Sequence, residues 1–132
     1  MKKLFVLFAI SAMTICALAQ PPRHGNHHGQ HPLPPPCATP EQMQLVMQTM
    51  ASQSFDERKL EIAQLCVTLG HFCTDDLARM AASFSFDENR LAFLKYAYPY
   101  CTDNERYPTL RDCFSFSSNF DKLMDAVYPP RR

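Results

Sequence analysis

The string Ser54-Phe55-Asp56-Glu57 returns as Ser85-Phe86-Asp87-Glu88, thirty-one residues later. A chain that writes one helix start twice is built from repeated units, and that constrains its fold more than any single motif. Each string has the S-x-x-E form of a capping box, in which the serine and the glutamate satisfy each other's backbone N–H groups. A second frame makes Asp56 and Asp87 the caps, with Phe55 packing on Leu60 and Phe86 on Leu91 as hydrophobic staples. Both frames start a helix at the same place, and the residue pattern leaves the choice between them open. Phe116-Ser117-Ser118-Asn119 is a looser third copy that leads into Phe120, Leu123, Met124 and Val127 and ends at Pro129-Pro130.

A second repeated mark opens each unit: Cys37-Ala38-Thr39-Pro40, Cys73-Thr74-Asp75 and Cys101-Thr102-Asp103, at spacings of 36 and 28 residues. After it come apolar residues at helical spacing: Met43, Val46, Met47 and Met50, then Leu77, Met80, Ala81 and Phe84, then Tyr107, Leu110 and Phe114. Thr39, Thr74 and Thr102 are the N-caps this reading predicts. Pro108 would break a helix already under way, so the third of these starts near Arg106 or Tyr107. Apolar residues surround most of the helix circumference over 60–69 and 91–98, which predicts that these two helices are the most buried. No stretch alternates with period two. The expected fold is all-α, about six helices arranged as three helical hairpins of roughly thirty residues over 37–129, a short solenoid or compact bundle.

Residues 1–19 read as a secretory signal peptide, with Lys2 and Lys3 first, an apolar run from Leu4 to Ile10, and Ala17-Leu18-Ala19 as the cleavage site. The apolar run is shorter than the ~20 residues a bilayer span needs, so no transmembrane helix remains after cleavage. The compartment implied is secreted or periplasmic. Cleavage after Ala19 removes Lys2, Lys3 and Cys16, leaving 11 basic and 13 acidic residues and five cysteines. Without a basic field, nucleic acid is excluded as a partner class. With only Gly25, Gly29 and Gly70, the chain has no phosphate-cradling loop. Residues 20–36 are rich in proline and histidine and cannot pack a core, so they form a disordered linker.

From Phe84 to Val127 the residues carry a family resemblance: Phe86-Asp87-Glu88-Asn89-Arg90-Leu91, Ala97-Tyr98, Asp103, Phe114-Ser115-Phe116-Ser117-Ser118 and Leu123. This segment resembles the family called domain of unknown function 4476, and the likeness runs more weakly back to Cys37. The resemblance implies a bacterial, exported, helical domain without an assigned activity, and it implies no catalytic residue. Pro108 stands where that family usually has an aromatic residue.

Cysteines in an exported chain read first as disulfides. Antiparallel hairpins place Cys37, Cys66, Cys73 and Cys101 at one end of the molecule, which predicts two disulfides among these four with the pairing open, and Cys113 unpaired and buried at the other end. Cys66, His71 and Cys73 have a C-x4-H-x-C spacing that matches no standard zinc knuckle. The acidic pairs Asp56/Glu57, Asp75/Asp76 and Asp87/Glu88 resemble acid–base dyads, but each falls in a helix first turn, where carboxylates favour the dipole. Met43, Met47 and Met50 form an apolar stripe and read as core. Tyr96, Tyr98, Tyr100 and Tyr107 are interaction candidates, set against packing between repeats. His24, His27, His28 and His31 are candidate metal ligands on a flexible tract, set against a solvated spacer. The expectation is a non-enzymatic protein-interaction module without a cofactor, whose partner is an unknown protein or envelope component. The alternative is weak transition-metal binding through the histidine tract.

Overall fold

The computed structural model describes residues 37–131. The residues expected to form a signal peptide and a linker, with the four tract histidines, lie outside the described residues. Five α-helices run Pro40–Ala51 (α1), Asp56–Leu69 (α2), Thr74–Ala81 (α3), Asp87–Ala97 (α4) and Ser117–Val127 (α5), with 3-10 segments at Tyr98–Tyr100 and Asn104–Cys113 between the last two. The described chain is mainly helical, and its one β feature is an isolated bridge between Phe72 and Cys101. No helix among the described residues is long and apolar enough to cross a membrane.

Helix α1 starts as its sequence dictates. Thr39 Oγ1 accepts the N–H of Gln42 at 3.2 Å, the Gln42 side chain accepts the N–H of Thr39 at 2.9 Å, and Pro40 fills a first-turn position that needs no donor. Thr74 is the first residue of α3 rather than its cap. Cys73 takes the cap position, and the Asp76 carboxylate three residues on accepts the Cys73 N–H. Thr102 caps nothing: the next segment begins at Asn104 behind Asp103 and continues through Pro108 as a 3-10 helix. Proline lacks the N–H an α-helix requires and crowds the carbonyl four residues back, and the tighter helix sets residues three apart on one edge. Tyr107 and Leu110 are therefore buried and Cys113 half-buried on that edge, and Phe114 of the expected stripe is half-buried against the core beside it.

The core joins Met43, Val46 and Met50 of α1 to Ala63 and Val67 of α2, Leu77, Met80 and Ala81 of α3, Phe93, Leu94 and Ala97 of α4, and Leu123 of α5. Helix α4 is central: it packs on α2, α3 and α5. Phe84, in the turn before α4, meets Phe93 with ring centroids 5.6 Å apart. The expectation that α2 is equally enclosed fails. With one flank on α1 and another on α4, its remaining face has no described neighbour, and Leu65 and Leu69 stay 60% and 78% exposed. Helix α2 ends at Gly70, where an added Cβ would stand 2.6 Å from the buried Phe72 ring.

Candidate functional site

Neither capping frame for the duplicated string is what forms. Helices α2 and α4 begin at Asp56 and Asp87, with Phe55 and Phe86 in the cap positions and no side-chain cap on either helix. The two aspartates reach instead into the turn of the following unit. Asp56 Oδ2 accepts the N–H of Ser85 at 2.8 Å, the N–H of Phe86 at 3.2 Å and the Asn89 amide at 3.2 Å. Asp87 accepts the N–H of Ser115 at 3.0 Å, the N–H of Phe116 at 3.0 Å and the Asn119 amide at 3.2 Å.

A cation one turn along completes each clamp. Lys59 lies 3.5 Å from Asp56 and donates to the Ser83 carbonyl at 3.1 Å. Arg90 lies 3.3 Å from Asp87 and donates to the carbonyls of Cys113 at 3.0 Å and Phe84 at 2.9 Å. Burial raises the cost of charge on both carboxylates. The N–H groups of the next turn, the asparagine amide and the neighbouring cation outweigh it, so both carboxyls lie below their ordinary pKa.

The three copies carry these parts in a pattern that the clamp explains. The first has Asp56 and Lys59, but Arg58 where the later copies have Asn89 and Asn119. The last has Asn119, but Ser117 and Phe120 in place of the aspartate and the cation. Among the described residues only the middle copy has a neighbouring copy on both sides, and only it holds both parts. Alignment of the three strings alone would have revealed this, because the aspartate vanishes from the last copy and the asparagine from the first.

Phe55, Phe86 and Phe116 point outward from successive helix starts, 70%, 63% and 67% exposed, the last two with their backbone N–H groups held by the clamps. They are not staples: the clamp holds the backbone, and the rings are left in solvent. Phe86 and Phe116 border a shallow cavity of about 220 Å³ that Asp87, Glu88 and Asn119 also line.

At the cysteine turns the aspartates reach back. Asp76 Oδ2 accepts the Ala38 N–H at 3.2 Å and the Cys73 N–H at 3.3 Å, with the Cys73 thiol at 3.3 Å. Asp103 accepts the Thr74 N–H at 2.6 Å and the Thr74 hydroxyl at 2.8 Å. The sulfurs of Cys37 and Cys73 and a carboxylate oxygen of Asp76 lie within 4.8 Å of one another. This is the metal-capable group the structure assembles among the described residues, rather than Cys66 with His71 and Cys73. Burial pushes the Cys73 thiol up to about 12, with Cys37 and Asp76 adding to the shift, and burial also raises Cys66, Cys101 and Cys113. All five cysteines are free thiols among the described residues. Cys113 is half-buried, below the enclosure its sequence suggests.

The tyrosines divide. Tyr107 is fully buried and its hydroxyl donates to the Leu94 carbonyl at 2.9 Å, so it belongs to the core and cannot meet a partner. Tyr98 is half-buried, edge-on to Tyr107 and to Tyr128. Tyr96 and Tyr100 stack on each other at 5.5 Å and remain exposed.

An all-α domain with recurring helix starts, each fastened to the next by one carboxylate, is the class these observations define. The chain belongs to the family described as a domain of unknown function (DUF4476), whose model matches residues 38–127. The match takes in every helix from α1 to the end of α5. No curated protein and no solved structure matches the chain.

Proposed function

We propose that the chain is an exported, non-enzymatic protein-interaction module of three helical hairpins stapled by disulfides among Cys37, Cys66, Cys73 and Cys101. Its occupant is a protein segment with apolar side chains that engage the phenylalanine row. The observation that carries this reading is the exposure of Phe55, Phe86 and Phe116 at equivalent positions of three successive turns. One exposed aromatic residue is ordinary, but three presented at the repeat interval form a surface with a period, and aromatic residues are enriched where proteins dock. One further fact supports it. One carboxylate of each pair that resembles an acid–base dyad in the sequence is engaged: Asp56 and Asp87 hold N–H donors of the next turn, and Asp76 holds those of Ala38 and Cys73.

A peptide library displayed on phage and panned against the immobilised protein tests the reading. Selected peptides should share spaced apolar residues and lose at least tenfold in affinity for the Phe55→Ser/Phe86→Ser/Phe116→Ser variant. Selection of peptides that bind that variant as tightly as the wild type overturns it.

A further inference from the structure

We propose that Cys37 and Cys73 form an intramolecular disulfide, with Cys37 the thiol that an incoming disulfide meets first. This rests on the exported reading above, since oxidation requires a compartment that supplies a disulfide oxidant. One carboxylate sets the geometry. Asp76 Oδ2 holds the backbone N–H of Ala38, next to Cys37, and that of Cys73 itself, so the peptide units beside both thiols share a single anchor. The two sulfurs lie within 4.8 Å of each other. Bonding requires about 2.05 Å between sulfurs. Cys37 is exposed and precedes α1, so rotation of its side chain can bring its sulfur to that distance without moving a helix.

The remaining cysteines fit less well. The Cys101 sulfur is turned to the Thr74 hydroxyl at 3.5 Å and to Asp103 at 3.4 Å, and it is not a member of the Cys37–Cys73–Asp76 group. A metal ion in that group would need a further ligand, and the one oxygen of Asp76 that faces the thiol already accepts two backbone donors. A disulfide needs neither a further ligand nor a change in Asp76.

Exposure sets the order of events. The Cys37 thiolate attacks one sulfur of a small-molecule or protein disulfide, RSSR; the S–S bond breaks, one RS⁻ leaves, and a mixed disulfide remains on Cys37. Cys73 is 6% exposed and, as a thiol, stays protonated. Its proton is lost to solvent as its sulfur attacks Cys37 Sγ and expels the second RS⁻, which takes up a proton in turn. Two protein thiols are oxidised, RSSR is reduced to two thiols, and the two protons released end on them.

The test uses the full chain purified under reductant, then exposed to glutathione disulfide and alkylated without reduction. Chymotryptic cleavage after Leu69 or Phe72 separates Cys66 from Cys73. The expected result is a cross-linked peptide pair joining Cys37 to Cys73, lost in Cys37→Ser, and a melting midpoint that falls further on reduction in the wild type than in that variant. Linkage of Cys37 to Cys66 or Cys101, or full alkylation of both Cys37 and Cys73, overturns the pairing. So does zinc chloride protecting both thiols of the reduced protein while glutathione disulfide leaves them unlinked, which would make the group a metal site. Export is read separately, from whether chain recovered outside the cytoplasm begins at Gln20. The pairing and the compartment can therefore fail independently.

Discussion

Replacing Asp87 with alanine removes a carboxylate that holds two backbone N–H groups and the Asn119 amide, all at 3.0–3.2 Å, and leaves Arg90 without its counter-charge. Hydrogen bonds to a charged group contribute about 1.5–3 kcal/mol each. Ser115 and Phe116 are exposed, so water replaces part of what their N–H groups lose, and Arg90 keeps its bonds to the carbonyls of Phe84 and Cys113. The expected loss is therefore about 2–4 kcal/mol, against about 1 kcal/mol for an ordinary N-cap. Urea denaturation at pH 7 measures it. A double-mutant cycle with Asn119→Ala should return a coupling of about 1 kcal/mol.

The pH dependence carries a sign. The folded-state pKa of Asp87 is depressed, so its contribution is complete above the unfolded carboxyl value and is lost as pH falls through the folded one. The gap between wild type and Asp87→Ala should hold from pH 7 to about pH 5 and shrink progressively as pH falls below about 4. A gap under about 0.5 kcal/mol at pH 7, or one that stays level down to pH 3, refutes the clamp.

Ser117→Asp restores the missing aspartate to the last copy, beyond which no further turn is described, and should change stability by no more than about 0.5 kcal/mol in the same denaturation assay. If a carboxylate there mattered only to its own helix, the gain would match the loss at Asp87. The Phe55→Ser/Phe86→Ser/Phe116→Ser variant should melt close to wild type, because each exposed site changes stability by only about 0.5 kcal/mol. Tyr107→Phe leaves the Leu94 carbonyl without its donor in the core and should cost about 1–2 kcal/mol by thermal denaturation. Gly70→Ala drives a methyl group into the Phe72 ring and should cost about 1–3 kcal/mol by the same method.

Most helices were legible because burial has a period. The stripe Leu77, Met80, Ala81 and Phe84 is buried throughout, and its spacing alone marks α3 and the turn after it. Pro108 signalled trouble, but the substitution of a three-residue edge for the α-helical stripe depends on the segment packing on α3 and α5, which no local pattern reports. Counting apolar residues around 60–69 identified an apolar helix but not which of its faces would find neighbours. Leu65 and Leu69 lie within that run and face solvent.

Asp56 and Asp87 were the sharpest misreading, and the reason is physical. A carboxylate in a helix first turn has a sufficient local explanation in the helix dipole, so nothing local points to partners twenty-nine residues away. The same chemistry serves both ends, local or distant. What separates the two is comparison between copies, where a residue that disappears with its neighbour must have been serving that neighbour.

The two rows of aspartates act in opposite directions along the chain. At the phenylalanine turns Asp56 and Asp87 hold the unit that follows, and at the cysteine turns Asp76 and Asp103 hold the unit before. The middle unit is therefore fastened twice to each neighbour, and releasing either neighbour strands charged carboxylates or backbone donors in it. Such reciprocal ties make stability a property of the junctions, as nearest-neighbour coupling requires of a repeat array. They also bear on the proposed surface. Because the clamps grip the backbone N–H groups of Phe86 and Phe116, these rings are positioned without being buried, and a partner that docks on them need not bear the entropy of ordering the turns that carry them.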